Sequence, residues 1–349
     1  MSEIYDYSYW GDLKLLIERE KNDLVFKAIY HGQRAEMSKE GLKMILDLYG
    51  HSLITKLGKE FSFEGNFEKE VGDIEKMGYS TNLVVAFDGK VLKSYRSVGS
   101  MEPEIMESVG NISPEILGWG TYDGKFIQVI TRRVGGREVG SIFYESHRRF
   151  LDGKEWREVK IMVPKIAATI CSMHAHLEKF GVERIRWEDI RRWRDLVRYY
   201  TNAAHILINP DELFGEMEDK EKIITHQDLH LSQMIFDGNS IKIIDFEGEP
   251  LREKKEEKLQ PVRDIATVAR ALSYIADGNY DEWVVEMMNL LYSEYRKKCK
   301  YSFDYGDFWD WMIEKAAYEV YYETKFRPDL VRIPKKSLKW LIENRRDAI

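Results

Sequence analysis

The chain has 349 residues, 44% of them hydrophobic and 32% charged, with 53 Lys+Arg against 60 Asp+Glu. That length allows two or three domains, or one two-lobed unit with a sizeable core, and the spread of apolar residues excludes long disorder. The net charge of −7 speaks against a nucleic-acid binder working by bulk charge, and no uncharged apolar run reaches the roughly 18 residues that would span a membrane.

The opening segment carries acids early and no long apolar stretch, so no secretory signal is expected. Leu13 to Glu20 reads as a helix and Asp23 to Tyr30 as a strand. Ser38 is placed to cap a helix running to Tyr49, with Glu40 and Lys43 on its polar side. From about Gly78 three apolar strand pairs turn on Asp-Gly, at Asp88-Gly89, Asp123-Gly124 and Asp237-Gly238. Asp-Gly supplies the positive φ of a tight hairpin turn. Between the second and third hairpins, Val159 to Lys179 reads as a helix despite Pro164, and Trp187 to Tyr200 as another. His147-Arg148-Arg149 reads as loop charge. The run Arg252 to Lys258 mixes both signs and reads as a solvated loop or helix edge. After Pro261 the chain reads helical over 262–276, 283–298, 309–324 and 335–344. A small β-rich half therefore precedes a larger helical half with one embedded hairpin. The two cysteines, Cys171 and Cys299, build neither a disulfide framework nor a four-cysteine metal site, so a reducing cytoplasm is expected, with Cys171 as core. Glutamine occurs only five times while Glu, Lys and Arg abound, a usage that leans towards a thermophile.

The polar chemistry concentrates in Thr225-His226-Gln227-Asp228-Leu229-His230-Leu231-Ser232-Gln233 and in Asp245-Phe246-Glu247-Gly248-Glu249-Pro250, which follows the third hairpin. A hairpin brings its own two ends together, so Asp228, Gln233 and Asp245 can converge. Carboxylate and amide oxygens suit Mg²⁺, and a further carboxylate can orient and deprotonate a hydroxyl. A base, an amide ligand five residues on and a metal-binding aspartate after a hairpin make the parts of a phosphoryl-transfer site. A zinc set of His226, Asp228 and His230 is weaker: alternate residues of an extended loop point opposite ways, and no fourth ligand is evident. No G-x-x-x-x-G-K-[ST] loop and no protein-kinase glycine loop occurs. Lys93 lies on the outgoing strand of the first hairpin, on the face of Val91, where a half-buried lysine needs an anion. Its acidic partner should come from 102–107, with Glu104 favoured over Glu107. Tyr318, Glu319, Tyr322 and Glu323 are i, i+4 pairs on one helix side. With Arg327 they offer the carboxylates, the fork and the aromatic faces that sugars take. Trp309 and Trp311 read as core.

These segments resemble the aminoglycoside phosphotransferase and choline kinase type of fold, and most of all its maltokinase and glucosamine kinase branch. The catalytic loop there reads His-Gly-Asp-Leu-His-x-x-Gln, and the metal segment Asp-Phe-Glu-Gly-Glu-Pro. Gln227 stands where that family has glycine. Pro261-Val-Arg-Asp-Ile-Ala266, Glu314 to Glu323, Arg327-Pro-Asp329 and Ser80 to Val85 extend the likeness over residues 75–340. The resemblance implies an α+β, bilobal protein-kinase-like fold. It has an N-terminal cap over 1–75, a β-rich nucleotide-binding lobe over 76–134 and a mainly helical catalytic and sugar-binding lobe over 135–349. It implies ATP and Mg²⁺ as cofactors. Lys93, Glu104, Thr81, Arg132 and Val134 would serve the nucleotide, and Gln233, Asp245 and Glu247 the metal. Asp228 would be the catalytic residue, and His230, Glu319, Tyr322, Glu323 and Arg327 would bind the sugar. The expected reaction is phosphorylation of maltose to maltose 1-phosphate, with glucosamine as the alternative acceptor. A catalytically silent nucleotide-binding module and a protein kinase are the readings of other classes. The expected partners are sugar and ATP alone, with no nucleic acid or membrane, in a monomer or small homo-oligomer.

Overall fold

The computed structural model describes residues 4–10, 13–20, 23–30, 39–49, 52–54, 60–76, 82–95, 98–252 and 256–348. The chain divides into two compact units, residues 1–135 and 136–349. Together they make the α+β architecture, a sheet-based unit and a helical one. Among the described residues no helix is long and apolar enough to cross a membrane.

The first unit opens with an antiparallel meander of β1 (Ile4–Trp10), β2 (Leu13–Glu20) and β3 (Asp23–Tyr30). Leu13 to Glu20, expected as a helix, is thus the central strand, paired to β1 on one side and to β3 from Leu13↔Tyr30 to Glu20↔Asp23 on the other. Its Leu, Lys and Glu favour helix by only tenths of a kcal/mol each (~0.5), and a hydrogen-bonding neighbour along both edges outweighs that preference. Next comes α1 (Lys39–Leu46), whose expected cap Ser38 lies outside the described residues. The strands β4 (Ser52–Ile54), β5 (Glu60–Gly65), β6 (Ile74–Lys76), β7 (Leu83–Phe87) and β8 (Lys90–Ser94) follow. The unit closes with α2 (Glu102–Val109), β9 (Ile116–Tyr122) and β10 (Lys125–Arg132). A seven-stranded sheet runs β4-β5-β9-β10-β8-β7-β6. β5, placed in the cap by sequence, pairs with β9, so the sheet draws on both sides of residue 75. Leu42, Ile45, Leu46 and Tyr49 pack with Phe61, Phe63, Val85, Leu92 and Ile130 in one core. The two tight turns have positive φ at both positions, 42° and 71° at Asp88-Gly89 and 52° and 74° at Asp123-Gly124. Such turns match the right-handed twist of the strands they join.

The second unit runs β11 (Arg137–Glu138), α3 (Val139–Leu151), α4 (Val163–Leu177), β12 (Glu183–Arg184), α5 (Trp187–Ala203) and β13 (Glu221–Ile224). The hairpin of β14 (Met234–Phe236) and β15 (Ile241–Ile243) follows, then β16 (Lys258–Leu259). Four helices complete it: α6 (Val262–Ile275), α7 (Glu282–Lys298), α8 (Tyr305–Phe326) and α9 (Arg332–Ala348). α4 begins four residues later than expected because a 3-10 segment, Arg157–Met162, precedes it. Pro164 then sits in the first helical turn, where its missing N–H leaves no bond unmade. The third Asp-Gly turn differs from the other two. Asp237 accepts the backbone N–H groups of Ser240 (2.7 Å) and Asn239 (2.8 Å), which close the loop over 237–240. Those hydrogen bonds hold its carboxyl down at about 2. α8 packs against α5, α6 and α9, with Trp309 and Trp311 buried in that core as expected.

Three expectations are corrected. His147 is buried in α3 and bonded to Asp281 at 2.9 Å, because the helix turns it inward onto Trp283. The side chains of Arg252 and Glu257 are buried, each matched by opposite charge inside the unit. Cys171 and Cys299 form a disulfide that joins α4 to the end of α7.

Candidate active site

In the first unit, β8 sends Leu92 into the core and Lys93 to the opposite face. There the Lys93 ammonium meets the Glu102 carboxylate at 2.7 Å, the two side chains 11% and 3% exposed. Glu104, the expected partner, is exposed. Glu102 takes its place because it is the carboxylate that the start of α2 buries. Arg132 is exposed and pairs with Glu115 at 2.6 Å, and Val134 is half-buried. Thr81 lies outside the described residues.

In the second unit, the loop after β13 carries Asp228. Its backbone is fixed from α6, where the buried Asp264 accepts the N–H groups of His226 (2.8 Å) and Gln227 (3.0 Å). Asp264 is itself held by His174 Nε2 at 2.9 Å, and His174 Nδ1 lies 2.8 Å from the Tyr295 hydroxyl of α7. Burial pushes the Asp264 carboxyl up. The His174 hydrogen bond and charge, with the His226 amide, outweigh it and hold the group below its ordinary value. Arg263 donates to the Gln227 carbonyl at 2.6 Å. Bound on both sides, Gln227 adopts a left-handed φ of 67°. That is the conformation for which a glycine is suited. His226 Nε2 lies 3.0 Å from the Ile244 carbonyl.

The 3-10 turn Leu231–Gln233 and the β14–β15 hairpin bring Gln233 to Asp245. The Gln233 amide donates to Asp245 Oδ2 at 3.0 Å, and Asp245 has a positive φ of 65°. Carboxylate oxygens of Asp245 and Glu247 come within 4.8 Å of each other. Two carboxylates and an amide are an oxygen-rich donor set, which fits Mg²⁺ better than a thiophilic metal. Gly248 follows with φ 72°, and a Cβ there would lie 2.9 Å from the Gln227 side-chain oxygen.

Behind this hairpin lies a buried ionic cluster. Glu249 accepts from Arg263 (2.7 Å), Arg252 (2.8 Å) and Lys315 (2.8 Å). Burial would raise its carboxyl, but the three cations hold it well below the usual carboxylate range. Glu314 accepts from the same two arginines at 2.8 Å. The Lys315 ammonium also reaches Asp228 Oδ1 at 2.7 Å. Farther along α8, Glu319 pairs with the fully buried Arg270 of α6 at 2.7 Å. Burial pushes the Glu319 carboxyl up, against the pull of Arg270 and Lys315. Glu323 accepts from Arg327 (2.7 Å) and from the Tyr274 hydroxyl (3.1 Å). Tyr322 lies between Tyr318 and Phe326, with the Arg327 guanidinium 5.2 Å from its ring centre. The expected sugar set of Glu319, Tyr322, Glu323 and Arg327 is therefore one cluster. His230, the other expected sugar contact, is mostly buried, and burial holds its pKa below the ordinary value.

The fold has counterparts among solved structures. A glucosamine kinase in complex with glucosamine, ADP and inorganic phosphate superposes with a TM-score of 0.76 at 14% identity, over 99% of this chain and 95% of that one. The chain shares its fold with that kinase. A second crystal form of glucosamine kinase gives 0.71 at 13% identity, over 97% and 93% of the two chains. A choline kinase from Cryptosporidium parvum Iowa II gives 0.50 at 13% identity, over 79% and 89%. No known protein-family model matches the sequence. At these identities the likeness establishes the fold that the chain shares with glucosamine kinase and choline kinase.

Sequence reasoning missed Lys315, Asp264, His174, Arg263, Arg270 and Tyr274. Arg263 and Asp264 lie in the Arg-Asp helix start already noted, so their place was within reach. Lys315 and Arg270 carried no signal, because only the tertiary pairing of α8 with the loop and with α6 reveals their partners.

Proposed function

We propose that the chain is an ATP-dependent sugar phosphotransferase, with maltose to maltose 1-phosphate as its leading reaction. The observation that carries this reading is the contact of Gln233 with Asp245, beside Glu247 and on the same loop as Asp228. Gln233, Asp245 and Glu247 would hold Mg²⁺, which would supply charge neutralisation on the phosphates. Lys93, fixed by Glu102, offers its ammonium to phosphate oxygens. Arg132 and Val134 offer backbone groups to the adenine edge, and Thr81 a hydroxyl to the phosphates. Asp228 accepts a hydrogen bond from the acceptor hydroxyl. As the bond from that oxygen to the γ-phosphorus forms and the bond to the bridging oxygen of ADP breaks, the proton passes to Asp228. Little covalent work is asked of the protein, so positioning and electrostatics carry most of the rate.

His230 and the cluster on α8 take the sugar. There Glu319 is matched by Arg270 and Glu323 by Arg327, so no uncompensated carboxylate of the pair waits for an ammonium. That balance supports a neutral acceptor such as maltose. The shared fold supports glucosamine as the second reading.

The test is ADP release with Mg-ATP and maltose, glucosamine, glucose or trehalose. Maltose-dependent turnover that falls at least about 100-fold in Asp228→Asn is the expected result. Turnover with glucosamine alone moves the acceptor and keeps the mechanism. Tight ATP binding without turnover on any sugar overturns the reading in favour of a silent module.

A further inference from the structure

The Lys315 side chain is 4% exposed and its ammonium has three neighbours: Asp228 Oδ1 at 2.7 Å, Glu249 Oε1 at 2.8 Å and the Tyr318 ring, whose centre is 4.8 Å away. Glu249 does not depend on it, because Arg252 and Arg263 already reach that carboxylate at 2.8 and 2.7 Å. Asp228 does depend on it. Lys315 is the cation that meets its side chain among the described residues, and Oδ2 accepts no hydrogen bond among them. A carboxylate with one oxygen anchored has lost rotation about its last torsion, and only the other oxygen is left for a ligand.

We propose that Lys315 is the positioning residue for Asp228, holding Oδ1 so that Oδ2 faces the acceptor hydroxyl. The assignment rests on the phosphotransferase reading of the same site. A cation is delivered to the loop aspartate by a helix eighty-seven positions downstream in sequence, so α8 contributes to the reacting end of the site as well as to the sugar. A compact ammonium suits the place, since it must serve two carboxylates and a ring face at once.

The test compares Lys315→Met, Lys315→Arg and wild type as full chains, with kcat, the KM for ATP and for the sugar, and the melting temperature. Lys315→Met keeps Glu249 paired with two arginines and is expected to fold. Its kcat should fall about 100-fold, the size of effect that an ångström of misplacement produces. Its KM for ATP should stay within about twofold, since ATP binding does not pass through Asp228. Lys315→Arg, which restores the charge, should recover part of kcat. A Lys315→Met enzyme with kcat within about threefold of wild type overturns the assignment. So does loss of kcat, ATP affinity and melting temperature together without recovery in Lys315→Arg, which marks a structural lysine. Absence of sugar-dependent turnover in the wild type overturns the phosphotransferase reading itself, and this assignment with it. An unchanged kcat in the variant beside an active wild type overturns the assignment alone.

Discussion

Gln227 and Gly248 face each other across the loop that carries Asp228, and each has a left-handed backbone, with φ of 67° and 72°. A side chain in that region costs about 1–2 kcal/mol. Gln227 bears that cost because Asp264 and Arg263 hold its N–H and carbonyl. Gly248 must lack a side chain for a second reason, since its Cβ would meet the Gln227 amide oxygen at 2.9 Å. Gly248→Ala should therefore destabilise the wild type by about 2 kcal/mol, part from φ and part from the clash. In a Gln227→Gly background the clash is gone, and the same substitution should cost about 1 kcal/mol. Gln227→Gly alone should stay within about 1 kcal/mol of wild type, as relief of strain offsets lost packing and added chain freedom. Urea unfolding of the four proteins measures the cycle. Equal costs of Gly248→Ala in the two backgrounds would show that the side chains do not couple.

At the scale of elements, legibility followed whether a segment's signal was local. The Asp-Gly turns before residue 135, the helices after 261 and the paired faces of α8 were readable because turn chemistry and helical spacing are written in neighbouring residues. Leu13 to Glu20 was misread because its pairing partners, not its own composition, make it a strand. The approach of Gln233 to Asp245 was readable from spacing along one hairpin. The partner of Lys93 was placed two positions from Glu102, because helix phase alone does not tell which of neighbouring glutamates is buried. Arg270 was invisible for a stronger reason: its value lies in the contact of α6 with α8. It is fully buried and pairs with Glu319 at 2.7 Å. Arg270→Met should leave that carboxylate buried without its cation and cost about 3–5 kcal/mol. Adding Glu319→Gln should return part of the loss by removing the orphaned charge. Thermal unfolding of both variants decides it, and a double variant no more stable than Arg270→Met would show that the pair is not the source of the loss.

At the scale of the whole molecule, pH and oxidation state act on the second unit together. His230, Asp264 and Glu249 have pKa values below their ordinary ones, so at these groups the unfolded chain binds more protons than the folded one, while burial raises Glu319, Asp307 and Asp310 and makes them act the other way. Stability should therefore be full above about pH 6.5 and fall as His230 protonates preferentially in the unfolded chain. Below about pH 4.5 Asp264 and Glu249 should add their own contributions to the fall. The disulfide bears on the same structure by another route. Cys171 lies one turn before His174 on α4, and Cys299 closes α7 one turn after Tyr295, so the bond ties the two helices that hold Asp264. It closes a sequence separation of 128 residues. A native disulfide typically contributes about 2–4 kcal/mol in favour of the fold. Reduction with dithiothreitol, or Cys171→Ser, should lower the melting temperature of the second unit by about 5–15 °C. The oxidised protein should show no titratable thiol under denaturing conditions. Two titratable thiols in protein purified without reductant, with a melting temperature indifferent to dithiothreitol, would show that the cysteines pack against each other without a bond and that the helices are held by their side chains alone.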